Sequence, residues 1–157
     1  MSSPHIRRMQ STDTAALLTL WERSVRATHD FLDEADIVFY RPLVATILSS
    51  GTLELWVLTS RDDLPIGFLR LAPNGIEALF LEPAYRGQGY GRVLVAHAQE
   101  RLGGALAVDV NEQNAAARRF YEAVGFVVMG RSPLDDTGRS YPLLHLRREA
   151  PRTERAG

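Results

Sequence analysis

The sequence predicts an α/β (α+β) fold: a mixed, mostly antiparallel sheet with one parallel strand pair, covered by helices on both faces. Three observations predict it. Residues 76–82, 91–102 and 104–110 read as strand, helix and strand, a unit that sets its strands parallel with a right-handed crossover. The other candidate strands follow one another through turn-forming residues, which pairs them antiparallel. The chain of 157 residues, 45% hydrophobic and 24% charged, is long enough for one core and reads as one domain over residues 1–148.

The elements follow in order. HIRRM (5–9) reads as a short first strand. Leu17, Leu20, Trp21 and Val25 then recur at helical spacing, with Ser11 and Thr12 as capping candidates. A second helical stretch covers residues 34–48. Pro42 lies inside it and predicts a kink or a new helix start, because proline lacks the N–H and its ring collides with the preceding turn. TLELWVLTS (52–60) alternates as a strand, with Leu53, Leu55 and Val57 on one face. RDDLP is a turn, and PIGFLRLA (65–72) is the next strand, so 52–72 forms a hairpin or meander.

IEALFLEP (76–83) is an apolar strand ending at a proline, and the glycine-rich RGQGYGR follows it. RVLVAHAQERL is a helix with Val95, Ala98 and Leu102 inward; GALAVDV (104–110) is an apolar strand that ends near Asp109. NEQNAAARRFYEAVGF is a helix with Asn114 as N-cap and Gly125 in the left-handed position after its end. FVVMG and YPLLHLR are closing strands around the turn DDTG. The polar tail 149–157 is expected to be loose.

Composition narrows the function. The formal net charge is −1, which gives no bulk basic field for nucleic acid. The chain has no cysteine, which excludes disulfides, zinc–thiolate sites and a cysteine nucleophile. All 18 basic residues are arginines, which reads as a compositional bias. No apolar run approaches the ~20 residues needed to cross a bilayer. No signal core is visible at the start, so a cytoplasmic location is expected. The acids of LDDTG read as turn formers rather than ligands, and no metal is expected.

The glycines at 87, 89 and 91 pose the functional question. Glycine is roughly 1 kcal/mol worse than alanine inside a helix, yet three of them stand where a helix begins. The spacing is neither G-x-G-x-x-G nor a Walker A sequence, so a dehydrogenase or nucleotide kinase is disfavoured. The first turn of a helix leaves backbone N–H groups unpaired and carries partial positive charge. Glycines clear the side chains that would fence off those donors, and Arg86 and Arg92 add charge at either end. The result is a cradle suited to a pyrophosphate.

LFLEPAYRGQGYGRVL resembles the acetyl-CoA motif of the GCN5-related N-acetyltransferase (GNAT) family, and NAAARRFYEAVGF resembles that family's second signature. SVRATHDFL is similar to a small bacterial branch of it. The resemblance covers residues 5–148 and implies an acetyl-CoA-dependent acetyltransferase. It implies that the backbone from Arg86 through Gly87, Gln88, Gly89, Tyr90 and Gly91 to Arg92 holds the pyrophosphate of coenzyme A. It implies that the strand carrying Leu79, Phe80 and Leu81 splays from 104–110 and pairs with the pantetheine arm, the Leu81 amide meeting the thioester oxygen. Asn114 would bond the same arm besides capping its helix.

The resemblance makes Tyr121 the acid that protonates the leaving thiolate; on the helix alone it would read as a packing residue beside Phe120. The base is less determined. Asp109 ends an apolar strand and faces the splay, either as base, directly or through water, or as a polar strand end shaping the NEQN turn. Glu77 is the second candidate. His29 and Phe31, between the first two helices, fall where the family builds its acceptor wall; a histidine there also fits a packed or capping role. Asp30, Asp33, Glu34 and Asp36 form either an acidic rim or a solvated helix start.

The expected acceptor is a primary amine, in a protein or a small molecule, meeting acetyl-CoA in a ternary complex without a covalent enzyme intermediate. The alternative is a non-catalytic coenzyme A-binding module. Family members form dimers, so a homodimer is an available state.

Overall fold

A computed structural model describes residues 5–51 and 54–150. Most of the expected tail, 151–157, and Leu53 of the expected second strand lie outside the described residues. The described elements are β1 (His5–Arg8), α1 (Thr14–Thr28), α2 (Glu34–Ser50), β2 (Glu54–Thr59), β3 (Pro65–Ala72), β4 (Gly75–Leu81), α3 (Tyr90–Leu102), β5 (Leu106–Asn111), α4 (Ala115–Ala123), β6 (Val127–Ser132) and β7 (Leu143–Arg148). The strands form a seven-stranded sheet in the order β1-β2-β3-β4-β5-β7-β6. Every neighbouring pair is antiparallel except β4 and β5.

The helices divide between the faces as their apolar spacing requires. Leu17, Leu20 and Val25 of α1 and Ile37 of α2 pack on Val57 and Phe68. Leu94, Val95 and Ala98 of α3 and Tyr121 of α4 pack on the opposite face, against Val108 and Leu146. Leu17, Leu94 and Leu146 are almost wholly removed from water, each worth about 1.5–3 kcal/mol of transfer free energy.

Two expectations are corrected. Pro42 starts no new helix, since α2 runs through it from Glu34 to Ser50. The proline faces solvent, and buried Ile37 and Leu48 anchor the turns on either side. Ser11 and Thr12 do not cap α1; they form a 3-10 turn with Asp13. Buried Asp13 accepts from the Gln10 N–H at 2.8 Å and from the Arg7 guanidinium at 2.8 and 3.0 Å. The Arg7 contact holds the Asp13 carboxyl below its usual range.

Two bulges matter for the site. Arg70 pairs with Ala78 and Leu71 with Ile76, so Glu77 is an extra residue in β4. Val128 pairs with Leu146 and Gly130 with His145, so Met129 is an extra residue in β6.

The β6–β7 connection turns at Asp135, whose carboxylate accepts from the N–H groups of Thr137 and Arg139 at 2.9 and 3.0 Å. This is the expected turn. The connection is clasped to α2, because Tyr40 donates to Asp135, and Arg139 and Tyr141 donate to Asp36.

Candidate active site

The parallel pairing of β4 with β5 is brief. Gly75 pairs with Ala107 and Ile76 with Val108, and beyond them the strands part. A cleft of about 530 Å³ opens between them. β5 keeps its other edge on β7 through Asn111, and β4 keeps its other edge on β3 through Leu81. The Glu82 N–H donates to the Ile66 carbonyl at 2.8 Å. Antiparallel ladders alternate, so Phe80, two residues back, also turns its backbone groups to β3. Leu79 and Leu81, at the intervening positions, turn their N–H and C=O groups into the cleft. Phe80 instead offers its side chain, packed against Phe68 with ring centroids 5.4 Å apart.

At the end of the cleft the chain turns through the glycine segment into α3. Gly87 and Gly89 sit at φ 72° and 87°, the left-handed region that excludes most side chains. Gly91 is glycine for another reason. A Cβ there would stand 2.9 Å from the Phe120 ring of α4. The first two glycines therefore shape the turn, and the third lets α4 dock beneath it. Tyr90, Gly91 and Arg92 form the first helical turn, whose N–H groups have no helical partners. Arg86 and Arg92 flank this cradle on the cleft wall. The Gln88 side chain turns back to the Ala84 carbonyl at 3.3 Å.

Tyr121 projects from α4 into the cleft between Phe120 and Phe126, edge-to-face with both at 5.0 and 5.3 Å. Burial pushes its phenol well above the ordinary tyrosine value, so it stays protonated. Asn114 caps α4 by accepting the Ala117 N–H at 3.1 Å, as expected, and its amide nitrogen meets His29 Nε2 at 3.3 Å. His29 Nδ1 lies 2.8 Å from Thr28 Oγ1, which donates to the Ser24 carbonyl at 2.7 Å. The directions are consistent only if Nδ1 carries the proton and Nε2 accepts. Burial first, and then the Arg86 charge, push His29 down to about 4, with Asp30 opposing. His29 is therefore a neutral link between the loop after α1 and the cap of α4.

Phe31 stacks obliquely between His29 and Tyr141 at 5.2 and 5.7 Å. Glu77 reaches the cleft from the β4 bulge and lies 3.8 Å from Arg70. Of the acids near the start of α2, Asp33, Glu34 and Asp36 are engaged within the fold, and Asp33 serves the helix start. Glu34 pairs with Arg26 at 2.7 Å, Asp33 caps α2, and Asp36 is buried under Arg139 and Tyr141.

Asp109 lines the cleft, but it is not alone. His145 of β7 bonds its carboxylate at 2.6 Å through Nδ1, and Ser132 of β6 lies 2.6 Å from Nε2. Neither residue figured in the sequence reading. The only sequence signal is the position of His145 within YPLLHLR, which points at Asp109 once β7 is laid beside β5 in register. Among the described residues no group of three or more His, Cys, Asp or Glu could hold a metal ion, and no helix is long and apolar enough to cross a membrane.

A strand pair splayed over a glycine turn, with a buried phenol and a carboxylate inside, defines an acyltransferase cleft. The Acetyltransferase (GNAT) family model matches residues 15–126. The chain belongs to that family and is an acyl-CoA-dependent acetyltransferase. It is 44% identical over 142 residues to the peptidyl-lysine N-acetyltransferase YjaB of Salmonella typhimurium, covering 90% of this chain and 96% of that protein. The YjaB of Escherichia coli is 45% identical over 141 residues, covering 90% and 94%. The solution structure of apo-form YjaB from Escherichia coli superposes with a TM-score of 0.86 at 42% identity, over 93% of this chain and 97% of that one. YncA of Salmonella typhimurium, solved with acetyl-CoA, shares the fold at a TM-score of 0.69 and 19% identity, over 99% of both chains.

Proposed function

We propose that the cleft binds acetyl-CoA along the free edge of β4 and passes the acetyl group directly to a primary amine, with protein lysine as the acceptor class. The observation that carries this is the parting of β4 and β5 just after Ile76 and Val108, which leaves Leu79 and Leu81 with unpaired backbone groups. An extended amide chain such as pantetheine completes that edge as an added strand would. The N–H groups at the start of α3 take the pyrophosphate, each bond to a charged group worth about 1.5–3 kcal/mol. The cradle fits the group, since a Cβ at Gly87 or Gly89 would meet nothing and the space above both is open. The lysine assignment is supported by the YjaB relatives, which carry it in their names.

The chemistry follows from position. The amine loses a proton and attacks the thioester carbonyl. The developing oxyanion meets the Leu81 N–H, a donor worth about 2.7–4 kcal/mol in the transition state. The carbon–sulfur bond breaks, and the Tyr121 phenol protonates the departing thiolate. Asp109 receives the amine proton. With no cysteine in the chain, transfer is direct within a ternary complex. Ser132 belongs to a serine–histidine–aspartate chain, but the carboxylate end faces the cleft, which is the wrong end for a serine nucleophile.

The test is acetyl-CoA-dependent thiol release with an N-terminally blocked single-lysine peptide, beside polyamines, amino acids and aminoglycosides. The expected result is release with the peptide, at least tenfold slower in Tyr121→Phe. Release with a small amine alone would move the acceptor class. An acetyl group found on the protein after acetyl-CoA alone would overturn direct transfer.

A further inference from the structure

We propose that His145 is the positioning residue of the base, with Ser132 fixing its tautomer, so that Asp109 works as part of an Asp109–His145–Ser132 chain. The proposal rests on the reading of Asp109 as the group that receives the amine proton.

The three residues come from three adjacent strands and share one face. Asp109 of β5 stands opposite His145 of β7, and His145 stands opposite Gly130 of β6. The extra residue at Met129 sets the register of β6 so that Ser132, two places after Gly130, points the same way. Both contacts to the imidazole are 2.6 Å.

The donors can be assigned from what each group is able to do. An ionised carboxylate only accepts, so Nδ1 carries the proton and donates to Asp109 Oδ1. In the neutral ring Nε2 is then an acceptor, and the Ser132 hydroxyl donates to it. The consequence for Asp109 is definite. One carboxylate oxygen is fixed by the ring, and the other is left for the acceptor ammonium. The carboxylate side chain is half exposed and, among the described residues, has no other side-chain partner to hold it, so without His145 it is free to swing along the open sheet face.

The other charges near the ring are already committed. Arg131 of β6 pairs with Glu112 at 2.6 Å, and Arg147, two places along β7, pairs with Glu149 at 3.0 Å. Asp109 is the charged group in contact with the ring.

The experiment compares wild type with His145→Phe, His145→Asn, Ser132→Ala and Asp109→Asn. The single-lysine peptide is the acceptor, kcat and KM are measured from about pH 5.5 to 9, and coenzyme A binding serves as the folding control. His145→Phe is expected to lower kcat at least tenfold at the plateau with KM for acetyl-CoA unchanged. His145→Asn, whose amide nitrogen falls near Nδ1, is expected to recover to within about threefold of wild type, a rescue that a merely structural role would not give. Ser132→Ala, with the tautomer no longer fixed, is expected to fall between them. Wild-type kcat in His145→Phe, with Asp109→Asn at least tenfold slower, would overturn the role of His145 and leave Asp109 as base. Wild-type turnover in Asp109→Asn would overturn both.

Discussion

The Phe120 ring of α4 occupies the space that any side chain at position 91 of α3 would need, since a Cβ there would lie 2.9 Å from two ring carbons. The glycine turn at the start of α3 and the helix that carries Tyr121 are therefore packed against each other at Gly91. Gly91→Ala should force α4 outward and cost about 1–3 kcal/mol, as overpacking does in tight interiors. Gly89→Ala should instead strain one left-handed residue, at about 1–2 kcal/mol, without moving α4. Thermal unfolding and Tyr121-dependent turnover, measured on both variants, separate the cases. Turnover should fall with Gly91→Ala beyond what weaker coenzyme A binding explains.

Acid should destabilise the protein in two windows. His29 has its folded value lowered from 6.5 to about 4, so between these the unfolded chain binds a proton that the folded chain refuses. Stability is full above 6.5 and is lost as pH falls toward 4, on the order of 3 kcal/mol. His29→Gln should flatten that slope in denaturant titrations at pH 7 and 5. Asp36 is held at about 2, chiefly by the Tyr141 hydroxyl, against an ordinary 3.8. Its contribution is present above 3.8 and disappears toward 2. Asp36→Asn should remove this second window and loosen the β6–β7 connection, read as faster amide exchange at Tyr141.

Asn114→Ala removes two bonds at once. The cap on Ala117 is worth about 0.5–2 kcal/mol, and His29 Nε2 is left without its partner. Asn114→Asp keeps the cap but brings no N–H donor to His29. A melting temperature near wild type in Asn114→Asp, with weaker coenzyme A binding, would assign the amide nitrogen to the cofactor side of the site.

Much of this was legible because the informative contacts are local. The strand, glycine turn and helix of 76–102 are contiguous, so their order shows in the residues, and Asn114 and Tyr121 sit seven residues apart on one helix. Even so, the reason for Gly91 was hidden, because Phe120 reaches it from a helix two elements later. The Asp109–His145 pair was hidden for the same reason. It depends on the register of β7 against β5 across 36 residues, and a shift by one would turn His145 to the other face. Asp36 read as part of an acidic rim or a solvated helix start because its partners Arg139 and Tyr141 come from a connection about a hundred residues away. At Pro42, buried Ile37 and Leu48 hold α2 together where propensity alone would end it and start a new helix.

The most direct test of the central claim is a coenzyme A titration followed by backbone amide shifts on the labelled protein. The account predicts that the largest changes fall on Leu79, Leu81 and Gly87 to Arg92, with Phe80 moving much less because its N–H stays bonded to β3. Changes that leave the β4 edge and the start of α3 untouched, with binding still measurable by calorimetry, would contradict it.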